Sequence, residues 1–190
     1  MQPTSIPAAG TPGQLISDTG FFRPPVRKGA HMAMQQLATF TIGEHLFGIN
    51  VLLIREINPN TSFTPVDLAP EYIRGLMNLR GQIVTIIDPA VRLGMPQREI
   101  TSASCCLVLK TTREVEDRED GSQLAGETVN DIVGLLVDSI SDMVSANTRE
   151  IESPPANIGD IDGRFMSGIL KMENRLLIIL KTSEVLKEGK

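Results

Sequence analysis

Two stretches of this chain, residues 73–93 and 166–186, superpose without a gap, and no other feature of the sequence limits its possible folds as strongly. Ile73, Gly75, Leu76, Ile83, Ile86, Ile87 and Leu93 of the first meet Met166, Gly168, Ile169, Leu176, Ile179, Leu180 and Leu186 of the second. Each stretch reads as a hairpin followed by a short helix. Self-similarity at a fixed offset marks a repeated supersecondary unit. A weaker match pairs Phe47-Gly-Ile49 with Val133-Gly-Leu135, followed at the same offset by Ile54 and Ile140. The order of elements is the same in each half, so two similar small barrels packed together explain the pattern economically.

The remaining segments agree with a strand-rich chain. Gln36–Ile42 alternates apolar and polar residues, Gly43-Glu-His45 supplies a turn, and Leu46–Ile49 resumes the strand. Val51, Ile54 and Ile57 recur every three residues, which predicts a short helical turn or a twisted strand before Asn58-Pro-Asn60 breaks it. Pro70–Arg74 reads as a turn. Gly75–Asp88 reads as a hairpin turning at Asn78-Leu-Arg-Gly81, and Asp88-Pro89 offers an N-cap with proline at the first helical position. The short helix that follows should end near Gly94. Ser104–Lys110 and Asp131–Asp138 are apolar strands, and Ile140, Met143 and Val144 continue the second irregularly. A last hairpin spans Arg164–Leu180, turning at Glu173-Asn174, and Thr182-Ser183 is placed to cap a C-terminal helix. Strands of this length with turns between them predict a mainly β fold with short helices.

Residues 1–35 contain Pro3, Pro7, Pro12, Pro24 and Pro25 and no sustained periodicity, so they are expected to be a disordered N-terminal tail or an appended extension. Residues 36–188 carry the folded part. Within it, 113–130 reads as an acidic, solvated loop built around Arg113-Glu-Val-Glu-Asp-Arg-Glu-Asp120.

The net charge of −5 and the absence of a Lys/Arg cluster argue against nucleic-acid binding. No apolar run approaches the ~18 residues of a membrane span, and no basic-then-apolar export signal is present. With no Trp, one Tyr and six Phe, the core must be aliphatic. Cys105 and Cys106 are neighbours in a strand, so their side chains point to opposite faces and are not expected to bond each other. Two buried thiols suit a reducing cytoplasm.

No catalytic constellation survives inspection. His45 sits beside a turn and has no nucleophile or orienting partner in view. Two adjacent cysteines cannot seed a zinc site. Gly159-Asp-Ile-Asp-Gly163 resembles part of a calcium loop, but counted from Asp160 the sixth position is Phe165 and the twelfth Lys171, so a polar loop is the better reading. Phosphate-binding glycine runs are absent. The pairs Asp138/Asp142 and Asp160/Asp162 lie near turns, and acid–base catalysis by them is not the expected reading. The expectation is therefore a binding module with no catalytic residues, metal or cofactor. The competing class is a small-ligand-binding barrel or weak hydrolase.

Phe40–Asn50, Ile54-Arg-Glu-Ile57 and Tyr72–Asp88 with its Asn-Leu-Arg-Gly turn resemble the first half of the CheW family. Val133–Val144, Phe165-Met-Ser-Gly168 and Leu176–Leu180 resemble its second half. The resemblance implies two Src-homology-3-like five-stranded barrels, intertwined as subdomains of one domain, and a non-catalytic scaffold in chemotaxis signal transduction. It implies binding to the regulatory domain of the histidine kinase CheA and to the cytoplasmic tip of methyl-accepting chemoreceptors, hence a cytoplasmic protein at membrane-associated receptor arrays. Ile54, Glu56, Arg80 and Met143 would face the receptor, and the region near Gly134 would carry kinase contact. Thr85 stands where the family often has proline, and 113–130 and the N-terminal tail are additions to a minimal member. These departures fit an adaptor of a different receptor set or of a surface-motility pathway.

Overall fold

The fold grows from hairpins whose turns are set by local chemistry. The computed structural model describes residues 34–117 and 124–187. The expected tail lies outside these residues, apart from Met34 and Gln35, which open the first strand. Strands β1 (Met34–Ile42) and β2 (His45–Asn50) meet through Gly43, whose φ of +60° favours glycine. A 3₁₀ turn over Val51–Leu53 leads into β3 (Ile54–Asn58), so the three-residue spacing there covers a helical turn and a strand in succession. Strands β4 (Ile73–Leu79) and β5 (Gln82–Ile87) form the next hairpin, and helix α1 (Pro89–Arg92) follows with Asp88 as its N-cap. Then come β6 (Cys105–Leu109), α2 (Thr112–Glu116), β7 (Val133–Val137) and β8 (Ser139–Asn147). The small pair β9 (Asn157–Ile158) and β10 (Ile161–Asp162), the hairpin β11 (Met166–Lys171) and β12 (Leu176–Leu180), and α3 (Thr182–Leu186) complete the order.

Two five-stranded sheets result, β11-β12-β2-β1-β8 and β4-β5-β7-β6-β3. The repeat maps one onto the other strand by strand. β5 runs parallel to β7 with Ile86 opposite Gly134, and β12 runs parallel to β2 with Ile179 opposite Gly48. Both hairpins carry a register shift, before Gly75 and before Gly168. Both then bridge an outlying segment, Thr64 to Leu76 and Glu152 to Ile169. A Cβ at Gly75 would lie 2.3 Å from the Thr64 carbonyl oxygen, and one at Gly168 would lie 2.4 Å from Ile151 Cγ2. The absent side chain is what lets each segment close over its hairpin.

The barrels are not the two halves of the chain. One is continuous, from β3 to β7; the other takes β1 and β2 from the start and β8, β11 and β12 from the end. The chain therefore crosses between them twice, at Val51–Leu53 and at Asp138.

Strands along the seam are buried on both faces, which explains their almost unbroken apolar sequences. In β6, Cys105, Leu107 and Leu109 join the large core shared between barrels, while Cys106 and Val108 fill the interior of one barrel with Met77, Val84, Ile86 and Leu136. In β1, Ala38, Phe40 and Ile42 face the seam and Leu37 faces the other interior, with Leu46, Leu170, Leu177 and Ile179. The period-two alternation of strand side chains produces this division.

The structure corrects two local expectations. The segment expected as an acidic solvated loop opens with α2, held by a capping box between Thr111 and Glu114 and by Val115, which is buried in the shared core. Its helical spacing of Thr111, Glu114 and Val115 outweighs its charge; residues 118–123 lie outside the described residues. At the C-terminal helix, Thr182 and Ser183 do not act as the N-cap, because Thr182 is already helical and Lys181 caps without its side chain. The Glu127 carboxylate takes that role, accepting from Thr182 Oγ1 at 2.9 Å and Ser183 N at 3.0 Å.

Candidate functional site

The β4–β5 hairpin closes in a two-residue loop, Arg80-Gly81, with φ of +54° and +85°. Positive φ at both positions matches the right-handed twist of the flanking strands. Asn78 Oδ1 accepts from Gly81 N at 2.9 Å and fixes the loop. Glycine suits its position without strain, whereas arginine in the left-handed region costs on the order of 1 kcal/mol. A strained, outward-pointing side chain at a loop tip is the kind of outlier that attends function.

Arg80 is 81% exposed, yet its Nη1 lies 3.2 Å from Glu56 Oε2 on β3, a carboxylate that is 25% exposed. The pair holds the guanidinium against the barrel edge and leaves most of its N–H donors facing outward. Ile54 lies on the same strand as Glu56, half-buried against the shared core, with a register shift between the two residues. Met143 stands on β8 of the other barrel, 64% exposed and opposite Ala38 of β1. β3 and β8 correspond under the repeat and are outer strands of their sheets. The structure thus joins Arg80 to Glu56, sets Ile54 on the same strand, and places Met143 on the equivalent strand of the second barrel.

Gly134 is itself buried in β7, between β5 and β6, where a Cβ would approach Ile86 Cδ1 to 3.0 Å. It offers no surface, so contact near it must come from its neighbours. Leu76 and Ile83 are exposed on the outer face of the hairpin that carries Arg80, Ile83 opposite Asn78 and Leu76 two residues before Asn78. Sequence reasoning treated both as repeat positions and missed their exposure. Alternation was the available signal, since Met77, Val84 and Ile86 take the inward positions.

Ion pairs elsewhere brace the fold. Arg74 Nη1 reaches the buried Asp88 Oδ2 at 2.9 Å, and Arg98 Nε lies 3.3 Å from Asp138 Oδ2, which also accepts from Gly43 N at 2.8 Å. His45 packs edge-on to Phe47, with ring centroids 6.4 Å apart. Burial pushes the Cys106 thiol up to about 11, with the neighbouring Cys105 adding to the effect, and burial raises Cys105 as well. Among the described residues, no group of three or more His, Cys, Asp and Glu side chains is placed to hold a metal ion. No helix among them is long and apolar enough to cross a membrane.

The family profile described as CheW-like domain matches residues 36–190. The chain is 32% identical over 151 residues to a chemotaxis protein CheW of Rhizobium meliloti (strain 1021), covering 80% of this chain and 86% of that protein. It is 30% identical to a probable chemotaxis protein CheW of Rhizobium etli, covering 85% and 93%. Among solved structures it is similar to the scaffolding protein TtCheW from Thermoanaerobacter tengcongensis, with a TM-score of 0.68, 25% identity, and coverage of 85% of this chain and 93% of that one. The shared architecture is a pair of Src-homology-3-like barrels.

Proposed function

The chain belongs to the CheW family, and on that premise we propose that it couples a histidine kinase of the CheA type to methyl-accepting chemoreceptors. The family consists of non-catalytic scaffolds, so the chain is a chemotaxis adaptor and not an enzyme. Its partners are the kinase's regulatory domain and the cytoplasmic tip of the receptor, and its place is the cytoplasmic side of membrane-associated receptor arrays.

The observation that carries this reading is the Arg80–Glu56 pair at the hairpin tip. An exposed pair adds about 0–1 kcal/mol to stability, too little to explain an arginine in a left-handed turn. A guanidinium held in place by a carboxylate, with its remaining donors outward, suits carboxylates or carbonyls on a receptor helix. Ile54 and Met143 add apolar contact on the two outer strands, and methionine adapts to an irregular partner surface. The apolar outer face at Leu76 and Ile83 supports a second protein contact on the barrel that contains Gly134.

The reading is tested by titrating the full chain, in a calorimeter, with the kinase's regulatory domain and with a receptor cytoplasmic fragment. Saturable binding of both, including binding of one in the presence of the other, is the expected result. Failure to bind either, together with a melting temperature raised by a small molecule, would replace the scaffold with a ligand-binding barrel.

A further inference from the structure

Laying one barrel on the other through the repeat reveals a difference in side chains at one place. In the barrel of β3–β7, Asp88 sits at the N-terminus of α1. Its Oδ1 accepts from Ala90 N at 3.0 Å, and its Oδ2 accepts from Arg74 Nη1 at 2.9 Å. Arg74 in turn lies over the Phe63 ring, 5.6 Å from its centroid. In the other barrel the same offset carries Ala90 to Ser183, Asp88 to Lys181 and Arg74 to Ser167. The paired bridges Thr64–Leu76 and Glu152–Ile169 carry Phe63 to Ile151.

The carboxylate survives this exchange but comes from elsewhere. Glu127 Oε2 accepts from Ser183 N at 3.0 Å, as Asp88 Oδ1 does from Ala90 N, and Oε1 accepts from Ser183 Oγ at 3.2 Å. The arginine does not survive, since Ser167 stands at its position and Ile151 replaces the phenylalanine beneath it. Glu127, Ser167 and Ile151 line a pocket of about 270 Å³ whose apolar walls include Leu53, Leu124 and Ile179. Among the described residues, Glu127 is the one charged residue of its lining.

We propose that this pocket receives an arginine side chain from a protein partner. Its guanidinium meets Glu127 as Arg74 meets Asp88, and its methylenes lie along Leu124 and Ile151. A carboxylate offers about four acceptor positions, and three hydrogen bonds to α3 leave room for a further donor. The apolar walls suit the aliphatic stem of an arginine that enters head first and carries its guanidinium to Glu127. A pocket whose described lining holds a single acidic group and no basic one, on a protein of net charge −5, selects a cationic occupant over an anionic one. Leu124 and Glu127 both come from the segment between β6 and β7. The pocket shares no residue with the surface of Ile54, Glu56, Arg80 and Met143.

The test is a titration of the isotope-labelled full chain, followed by amide NMR shifts, with N-acetyl-arginine amide and with its neutral isostere N-acetyl-citrulline amide. Saturable shifts at Leu124, Glu127, Ser167 and Ser183 with the arginine probe, at least about tenfold weaker with citrulline, are expected. Ser167→Arg should fill the pocket from within, raise the melting temperature and abolish the response. Glu127→Gln keeps a side-chain acceptor for α3 and should lose the response, so it decides the matter if Ser167→Arg fails to fold. Equal responses to the two probes, no saturable shift at these amides, or an undiminished response in either folded variant overturns the proposal.

Discussion

Arg80 Nη1 stands 3.2 Å from Glu56 Oε2, tying the tip of the β4–β5 hairpin to the outer strand β3 while the arginine remains 81% exposed. Such a pair contributes about 0.2–1 kcal/mol. Arg80→Glu should therefore move the urea midpoint only slightly and leave the circular dichroism spectrum unchanged. Arginines at protein interfaces often account for about 2 kcal/mol or more, so the same variant should weaken receptor binding by roughly thirtyfold. The charge swap Glu56→Arg with Arg80→Glu should not restore it. A folded Arg80→Glu variant with unaltered receptor affinity removes Arg80 from the interface.

Gly75 and Gly168 occupy equivalent positions but should respond differently to substitution. At Gly75 the φ of +150° adds strain, and an added Cβ meets backbone, the Thr64 carbonyl oxygen at 2.3 Å. At Gly168 the first obstacle is the Ile151 Cγ2 methyl at 2.4 Å, which can rotate or shift. Gly75→Ala is predicted to cost about 3 kcal/mol or more and Gly168→Ala about 1–3 kcal/mol, read from urea unfolding. Equal costs would mean that the Thr64 segment yields as easily as a side chain.

Glu127 links the segment between β6 and β7 to the last helix through Thr182 and Ser183. Glu127→Ala should cost about 1–2 kcal/mol, the usual range for losing an N-terminal helix cap. Hydrogen exchange should localise the loss to amides of α3. Uniform loss of protection across both barrels would show that the contact matters beyond the helix it caps.

Cys105 and Cys106 point into different cores, one into the seam and one into a barrel interior. Burial holds the Cys106 thiol near 11 against 9.0 for an unperturbed thiol. Between these values the unfolded chain loses a proton that the folded chain keeps, so stability falls as pH rises through that window. Urea midpoints should decline from about pH 9 upward more steeply than in Cys106→Ala, and both thiols should resist a thiol reagent at neutral pH until the chain unfolds. Rapid labelling of the native protein would contradict their burial.

Much of this fold is legible in the sequence because its constraints are local. Asn78-Leu-Arg-Gly81 demands a tight turn, Asp88-Pro89 announces a capped helix, and the glycines at 75 and 168 mark matching bulges. The assignment of strands to barrels is less legible. β3 and β8 each follow a crossover, and hydrophobic alternation gives the facing of a strand without naming its partner. Glu127 was invisible as a cap because it acts across 55 residues, whereas Thr182-Ser183 offered the local pattern. At the site, Arg80 could be singled out from its motif. The exposure of Leu76 and Ile83 depends on which face of the hairpin the barrel fills, and only packing decides that.

If this chain couples a receptor to a kinase, receptor-dependent kinase activity reads that coupling. Autophosphorylation of the cognate CheA-type kinase should be followed with receptor fragments assembled on vesicles, with and without the chain. Low activity without it, a rise of at least about tenfold on its addition, and little rise with Arg80→Glu are expected. Full receptor-dependent activity without the chain, or none with it although both partners bind, would show that the chain does not couple them.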